Sequence, residues 1–359
     1  MVTLSQEESP VAASIYNSVT ELIGQTPLLR LSRFSERQGV RAELLGKLEL
    51  FNPNHSVKDR IALAMIEQAE RDGLIKPGDI IAETTSGNTG IGVASIAAAK
   101  GYRFRVYIND FVSIERSKII QAYGAEVVPF STVPGFADYY EASDGDFVAA
   151  TRWLVAQVAE AEPDVHFLQQ LQNPANPRVH ELTTGPEIWR DTQGKLDIFV
   201  ASVGTGGTLS GIGRYLKAQD PAIQVVAVEP GIGSQPSPQH PEPLEITGVH
   251  AFSGQPPERI PPNLDPQVYD DAIAVETWQA YQAARQFALA EGILVGDSSG
   301  AVLFAAQQLA ARPENQGKRI VLLLADGGVN YLSTRLFSHE HPAESLKEAT
   351  AVQTSQLLL

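Results

Sequence analysis

Three times along the chain an apolar run ends in a short turn of glycine, serine and threonine that opens at once into a helical pattern. The stretches are "ETTSGNTGIGVA" (83–94), "SVGTGGTLSGIG" (202–213) and "GILVGDSSGAVL" (292–303). A strand that feeds a helix through so short a turn needs that helix to carry the chain back along the sheet. The next strand then lies parallel, and helices cover the faces. The rest of the sequence keeps this rhythm. Strands are predicted at 42–49, 79–84, 103–109, 125–130, 197–204, 223–230 and 319–326, with helices at 58–75, 90–101, 113–124 and 207–219. The expected fold is α/β with mostly parallel sheets. At 359 residues and 43% hydrophobic content the chain has enough apolar surface for two such domains.

Two segments break the pattern. Residues 131–148 are acidic and marked by glycine and proline, and residues 231–263 are proline-rich. Both read as long ordered loops, a length that often accompanies function. Residues 338–359 read as a terminal tail or a terminal helix.

Charge and composition remove several function classes. A formal charge of −15 disfavours nucleic acid and anionic membrane surfaces. No apolar run is long enough to span a bilayer, and "MVTLSQEESP" lacks the basic start of a secretory signal. A cytoplasmic protein is expected. The absence of cysteine excludes disulfides, thiolate metal sites and a cysteine nucleophile, and the seven histidines form no ligand spacing. No metal site is predicted.

The turns carry the chemistry. In the first, Thr85, Ser86, Gly87, Asn88 and Thr89 present hydroxyls and backbone amides at a helix N-terminus, a site for a carboxylate or phosphate. A well-capped helix start without a ligand would look the same. In the second, Gly204, Thr205, Gly206, Gly207 and Thr208 suit a monophosphate. Leu209 stands where a dinucleotide fingerprint needs its third glycine, and no Gly-Lys-Ser/Thr follows. Tight strand–helix packing is the alternative. The third matches G-x-S-x-G over Gly296–Gly300. It allows a serine hydrolase with Ser298 as nucleophile, Asp326 as acid and His339 or His341 as base. Only about sixty residues remain after Ser298 to hold such a triad.

Together the motifs resemble the cysteine synthase and cystathionine β-synthase family of fold-type II pyridoxal-phosphate enzymes, the tryptophan synthase β-like class. The resemblance rests on "IGQTPLLRL" (23–31), "KLELFNPNHSVKDRIA" (47–62), "TSGNTGIGVA" (85–94), "SIERSKIIQAYGAEVV" (113–128), "NPANPRVHELTTGPEIW" (173–189), "GTGGTLSGIGRYLK" (204–217), "VAVEP" (226–230), "GILVGDSSGA" (292–301) and "NYLST" (330–334), in family order. It implies a larger cofactor domain (1–57 plus 171–337) and a smaller mobile substrate domain (58–170). It also implies that Lys58 bonds covalently to the cofactor and serves as the α-proton base. Asn88, thirty residues on, would meet the cofactor's ring hydroxyl. The 204–208 turn would cup its phosphate, and 85–89 with Gln170 would hold the substrate's α-carboxylate, with Gly248 also near the substrate.

Three departures stand out. The family's hydroxyl near the pyridine nitrogen falls on Gly327, beside Asp326, in "LADGGVNYLST". The entrance loop is altered to "GVHAFSGQPPERIP" (248–261), adding His250 and Arg259. The stretch "INDFVS" (108–113) also differs and precedes the acidic segment. The implied activity is β-replacement on O-acetylserine or O-phosphoserine with sulfide, giving L-cysteine. Replacement by an amine or a larger thiol is the variant reading. A homodimer and a complex with serine acetyltransferase are further expectations of the family.

Overall fold

The structure is a computed structural model that describes residues 15–338 apart from Ser86, Phe111, Val112, Asp144, Asp146 and 238–243. Among the described residues the strands are β1 (Leu28–Arg30), β2 (Glu43–Leu48), β3 (Ile80–Thr84), β4 (Arg103–Ile108), β5 (Glu126–Pro129), β6 (Val165–Phe167), β7 (Ile198–Ser202), β8 (Gln224–Pro230), β9 (Asp271–Val275) and β10 (Arg319–Leu324). They form a six-stranded sheet, order β1-β2-β10-β7-β8-β9, and a four-stranded sheet, order β5-β4-β3-β6. Every pairing is parallel except β1 with β2. The helices are α1 (Ser32–Gln38), α2 (Lys58–Arg71), α3 (Asn88–Lys100), α4 (Ile114–Ala122), α5 (Phe136–Ala142), α6 (Phe147–Ala161), α7 (Ala175–Val179), α8 (Gly185–Asp191), α9 (Gly207–Gln219), α10 (Thr277–Glu291) and α11 (Asp297–Ala311).

Strand alternation decides which helix covers which face. In β7, Ile198 and Val200 join β10's Ile320 and Leu322 under α10 and α11, where Phe287 and Leu309 are buried. Phe199 and Ala201 point the other way, with Val321 and Leu323, and are covered by Leu209, Ile212 and Leu216 of α9. The four-stranded sheet is covered on one face by α2 and α3, through Ile61, Met65 and Ile91. Its other face packs Ala82 and Tyr107 against Phe136 and Leu154 of α5 and α6. Strands buried on both faces explain the near-continuous apolar runs.

Two sequence expectations need correction. Residues 131–148 are not a long loop, because α5 and the start of α6 occupy much of that span. Phe136, Tyr139 and Tyr140 lie at helical spacing and stack. Phe136 lies 4.6 Å from Phe130, and Tyr139 lies 5.2 Å from Trp153 of α6. The run at 292–296 is not a strand. It makes one isolated bridge, Val295 with Gly327, before α11 begins. The 231–263 segment is irregular apart from short 3-10 turns at Ile232–Ser234 and Pro257–Arg259, and part of it and the tail beyond 338 lie outside the described residues.

Gly300 lets α11 press on α10, since a Cβ there would collide with the Ala280 carbonyl oxygen. Gly300→Ala is expected to lower unfolding free energy by about 1–3 kcal/mol in urea titration. An unchanged midpoint would mean that the helices separate without cost.

Candidate active site

Lys58 is the first residue of α2, and its half-buried side chain lies at the carboxyl end of β10. The chain just before it is stitched to the chain just after that strand. Val57 N donates to Ala325 O (2.8 Å), and Gly327 N donates to His55 O (3.0 Å). The Lys58 amide itself donates to Ser56 Oγ at 3.1 Å. Burial lowers the Lys58 pKa, while Asp326 and Glu49 act against the shift. The positive end of the α2 dipole also disfavours an ammonium at this position. The result is an amine biased toward its neutral, nucleophilic form.

Two residues on, Arg60 fixes this helix start. Its guanidinium donates to Glu49 (Nε–Oε2 2.7 Å, Nη2–Oε1 2.9 Å) and to both oxygens of Glu187, each at 2.7 Å. Lys47 completes the group, 2.7 Å from Glu187 and donating to Thr26 O at 2.6 Å. All four charged side chains are almost wholly buried, two of each sign. Burial alone would raise the carboxylate pKa values, but Arg60 and Lys47 hold Glu49 below its usual value and Glu187 down at about 2.

The 85–89 turn follows β3. Thr85 N donates to Tyr107 O (3.0 Å), and Thr85 Oγ1 accepts from Gly87 N (3.3 Å). The amides of Asn88 and Thr89, in the first turn of α3, have no acceptor among the described residues. Ser86 lies outside the described residues. Thr89 Oγ1 donates to Gln170 Oε1 at 2.6 Å, so the structure brings Gln170 to this turn.

The 204–208 turn follows β7. Gly206 has φ +81°, and a Cβ there would strike the Leu264 backbone, while one on Gly204 would strike the Gly248 carbonyl oxygen. Those glycines are therefore required by packing on the outer side of the loop. The amides of Thr208 and Leu209 at the start of α9 have no acceptor among the described residues. Free amides, a helix end and two threonine hydroxyls fit a phosphate monoester.

Residues not singled out from the sequence lock the two turns together. Asn176 Nδ2 donates to Thr205 Oγ1 (2.9 Å) and to Gln170 O (2.8 Å). Asn263 Nδ2 donates to the same carbonyl at 2.9 Å. His180 Nε2 pairs with Thr208 Oγ1 (3.2 Å) and its Nδ1 with Thr184 (2.9 Å), from a π-helical turn at His180–Thr184. Burial, helped by the Arg60 charge, pushes this histidine down to about 3 and keeps it neutral. The π turn is a common local mark of function, but sequence periodicity does not reveal it.

Asn88 Nδ2 donates to Asp326 Oδ2 at 2.6 Å, and Tyr331 OH donates to the same oxygen at 2.6 Å. Arg116 lies over the Tyr331 ring, 4.7 Å from its centroid. Asp326 Oδ1 is buried without a hydrogen-bond partner among the described residues. Burial raises the Asp326 pKa, partly offset by Tyr331, Arg116, Asn88 and Lys58. Gly327 is extended, and a Cβ there would meet Leu50, His55 and the Leu294 carbonyl at ordinary distances, so packing does not demand glycine. Gly248, at φ +70°, packs its carbonyl against Gly204.

Among the described residues the G-x-S-x-G turn forms no hydrolase triad. Ser298 is buried in the first turn of α11, and Ser299 Oγ accepts from Ala325 N at 2.9 Å. Asp326 is occupied by Asn88 and Tyr331, and His339 and His341 lie outside the described residues.

A half-buried lysine at a helix start, with two glycine turns whose first helical amides are free, points to a class, and residues 19–326 match the family described as "Pyridoxal-phosphate dependent enzyme". The chain belongs to this family and is a pyridoxal-phosphate enzyme with the fold-type II architecture. It is 45% identical over 325 residues to a cysteine synthase of Staphylococcus aureus, covering 90% of this chain and 98% of that one. Among solved structures, it resembles an O-ureido-L-serine synthase at 37% identity and TM-score 0.77, covering 93% and 100% of the two chains. It also resembles a cysteine synthase of Entamoeba histolytica at 32% identity and TM-score 0.79, covering 97% and 98%.

Arg60→Met would leave Glu49 and Glu187 buried without their main partner. A loss of about 3–5 kcal/mol in unfolding free energy is expected. Glu187 is depressed from 4.5 to about 2. Its contribution is complete above pH about 4.5 and is lost as pH falls through about 2. The variant should flatten that part of the pH–stability curve, measured by urea unfolding at stepped pH.

Proposed function

We propose that this chain is a cysteine synthase, replacing the activated hydroxyl of an O-acylated or O-phosphorylated serine with sulfide to give L-cysteine. The observation that carries the reading is the Lys58 amine, held in a partly desolvated position between two turns whose helix-start amides are free to take anions. The likeness to the S. aureus cysteine synthase over nearly the whole of both chains supports the choice within the family.

Gly204–Thr208 would hold the cofactor's phosphate, Lys58 would bond its aldehyde carbon, and Asn88 would face the ring. When bound, pyridoxal phosphate supplies an electron sink for charge leaving the substrate's α-carbon. The chain's residues do the rest. Thr85, Ser86, Asn88 and Thr89 bind the α-carboxylate, with Gln170 behind Thr89, and so fix the direction of the α-proton. Lys58, once freed from its covalent bond, takes that proton and returns it after the nucleophile has added at the β-carbon. Burial lowers the Lys58 pKa, which favours the neutral amine that takes the proton.

We further infer a smaller domain of 58–170 around the four-stranded sheet and a larger one around the six-stranded sheet. Lys58 stands at their join, where closure over a bound carboxylate would exclude water. A homodimer, a serine acetyltransferase complex and a cytoplasmic location belong to the same reading. They are supported by the family resemblance and, for the last, by the absence of a membrane-length apolar helix among the described residues.

The test is Lys58→Ala assayed with O-acetylserine and sulfide. Turnover should fall at least about a thousandfold with the circular dichroism of the fold retained. A variant that kept a tenth of the activity would overturn the assignment.

A further inference from the structure

Arg116 is only 5% exposed, yet it makes no ion pair among the described residues, and its Nε has no hydrogen-bond partner among them. An arginine kept out of water without a carboxylate in contact is costly unless its charge acts on something close by. What lies under it is the Tyr331 ring, 4.7 Å from the guanidinium carbon to the ring centroid. Tyr331 OH donates to Asp326 Oδ2, the oxygen that also accepts from Asn88 Nδ2. Asn330 Nδ2 holds the other end of that amide, donating to Asn88 Oδ1 at 3.4 Å. A line of contacts therefore runs from Arg116 through Tyr331 and Asp326 to Asn88 of the carboxylate turn.

The first turn of α4 is seated so that this line is held. Ser113 Oγ, just before the helix, donates to Asn330 O at 3.4 Å. Glu115 accepts from Ser333 N (3.1 Å) and from Ser333 Oγ (2.6 Å). Five groups act on Asp326 or feel its charge: Tyr331 from the 3-10 turn at Gly328–Tyr331, Arg116 from α4, Asn88 from α3, Lys58 from α2 and Asp297 from α11. Burial raises the Asp326 pKa, and Tyr331, Arg116, Asn88 and Lys58 act against that rise. Of the two cations, Lys58 is itself drawn toward the neutral amine by burial, which leaves Arg116 as the permanent charge. A proton on Asp326 would have to sit on Oδ1, because Oδ2 already takes two donors, and Oδ1 has no acceptor among the described residues. The geometry thus favours the carboxylate, with Arg116 as its counter-charge across the Tyr331 ring.

We propose that Arg116 is a positioning residue for the reaction site: from α4 it holds Tyr331 and the Asp326 charge in the arrangement that aims the Asn88 side chain. The inference rests on the reading of Lys58 and the 85–89 turn given above, and it adds a residue that would touch neither substrate nor cofactor. Without the guanidinium, Asp326 would take a proton more readily, and a neutral carboxyl is the weaker acceptor for Asn88. The loss is therefore largest at low pH and fades as pH rises and Asp326 ionises again.

The experiment uses the holoenzyme of the wild type and of Arg116→Met, Arg116→Lys and Tyr331→Phe. L-Serine is titrated against each between about pH 6 and about pH 8, and its Kd is read from the change in cofactor absorbance. Taking the ratio of variant to wild-type Kd at each pH cancels the titration of the amino acid itself. For Arg116→Met the ratio should be about tenfold at the lower pH and fall toward one at the upper. Arg116→Lys keeps the charge and should stay within about threefold of the wild type throughout. Tyr331→Phe keeps the ring but removes a donor to Asp326, so it should repeat the pH-dependent rise, and it decides the matter if Arg116→Met does not fold. The KM for O-acetylserine, with sulfide as nucleophile, should follow the serine Kd, with kcat changed less. A ratio equal at both ends of the pH range would mean that Arg116 only fills space and would overturn the proposal, as would an Arg116→Lys variant no better than Arg116→Met. If the wild type binds serine but does not turn over O-acetylserine, the cysteine synthase reading fails and the Kd ratios still decide the role of Arg116. No response of the wild type to serine would overturn both.

Discussion

The site depends on one buried contact, the clasp of Arg60 by Glu49 and Glu187. Arg60 sits on the first turn of α2, Glu49 follows β2, and Glu187 lies on α8. Bidentate geometry to both carboxylates sets the angle as well as the distance of the helix start. Lys58, two residues earlier on the same turn, has no freedom to drift from β10. Four buried charges are a costly way to gain stability, since apolar residues of equal volume would often do as well. What they supply here is placement, and a field in which the Glu49 charge partly offsets the desolvation of Lys58.

From that fixed amine the remaining order follows through polar side chains. Asn176 ties the carbonyl of Gln170 to the hydroxyl of Thr205, and the Gln170 side chain accepts from Thr89, so a chain of hydrogen bonds links the turn after β3 to the turn after β7. Asp326, at the end of β10, collects Asn88 and Tyr331 on one oxygen and leaves the other unpaired. A buried carboxylate with an idle oxygen beside a half-buried lysine is an electrostatic element in its own right. Gly327 supplies no hydroxyl next to it, which leaves Asp326 the ionisable group at this end of β10.

The parts legible in the sequence are those set by local backbone rules. The first two glycine turns, the strands around them and Lys58 at a helix start follow from φ requirements, hydroxyl placement and apolar period. The G-x-S-x-G turn allowed a hydrolase reading beside the family one, and Gly300 in it serves helix packing against Ala280, a demand made from outside the motif. Residues 131–148 misled because their acidic and glycine content masked an aromatic stripe that becomes visible only once Trp153 is beside it. Asn176, His180, Asn263 and the Arg60 clasp were not legible, because each joins residues far apart in the chain. Arg60 and Glu187 are 127 positions apart.

The central claim is that Lys58 is the residue that carries the cofactor. Reduction of the holoenzyme with borohydride, followed by proteolysis and mass mapping, tests it without reference to turnover. The account predicts a pyridoxyl group on the peptide containing Lys58 and on no other lysine. A label on Lys47, Lys100 or any other lysine, or no covalent label at all, would contradict it.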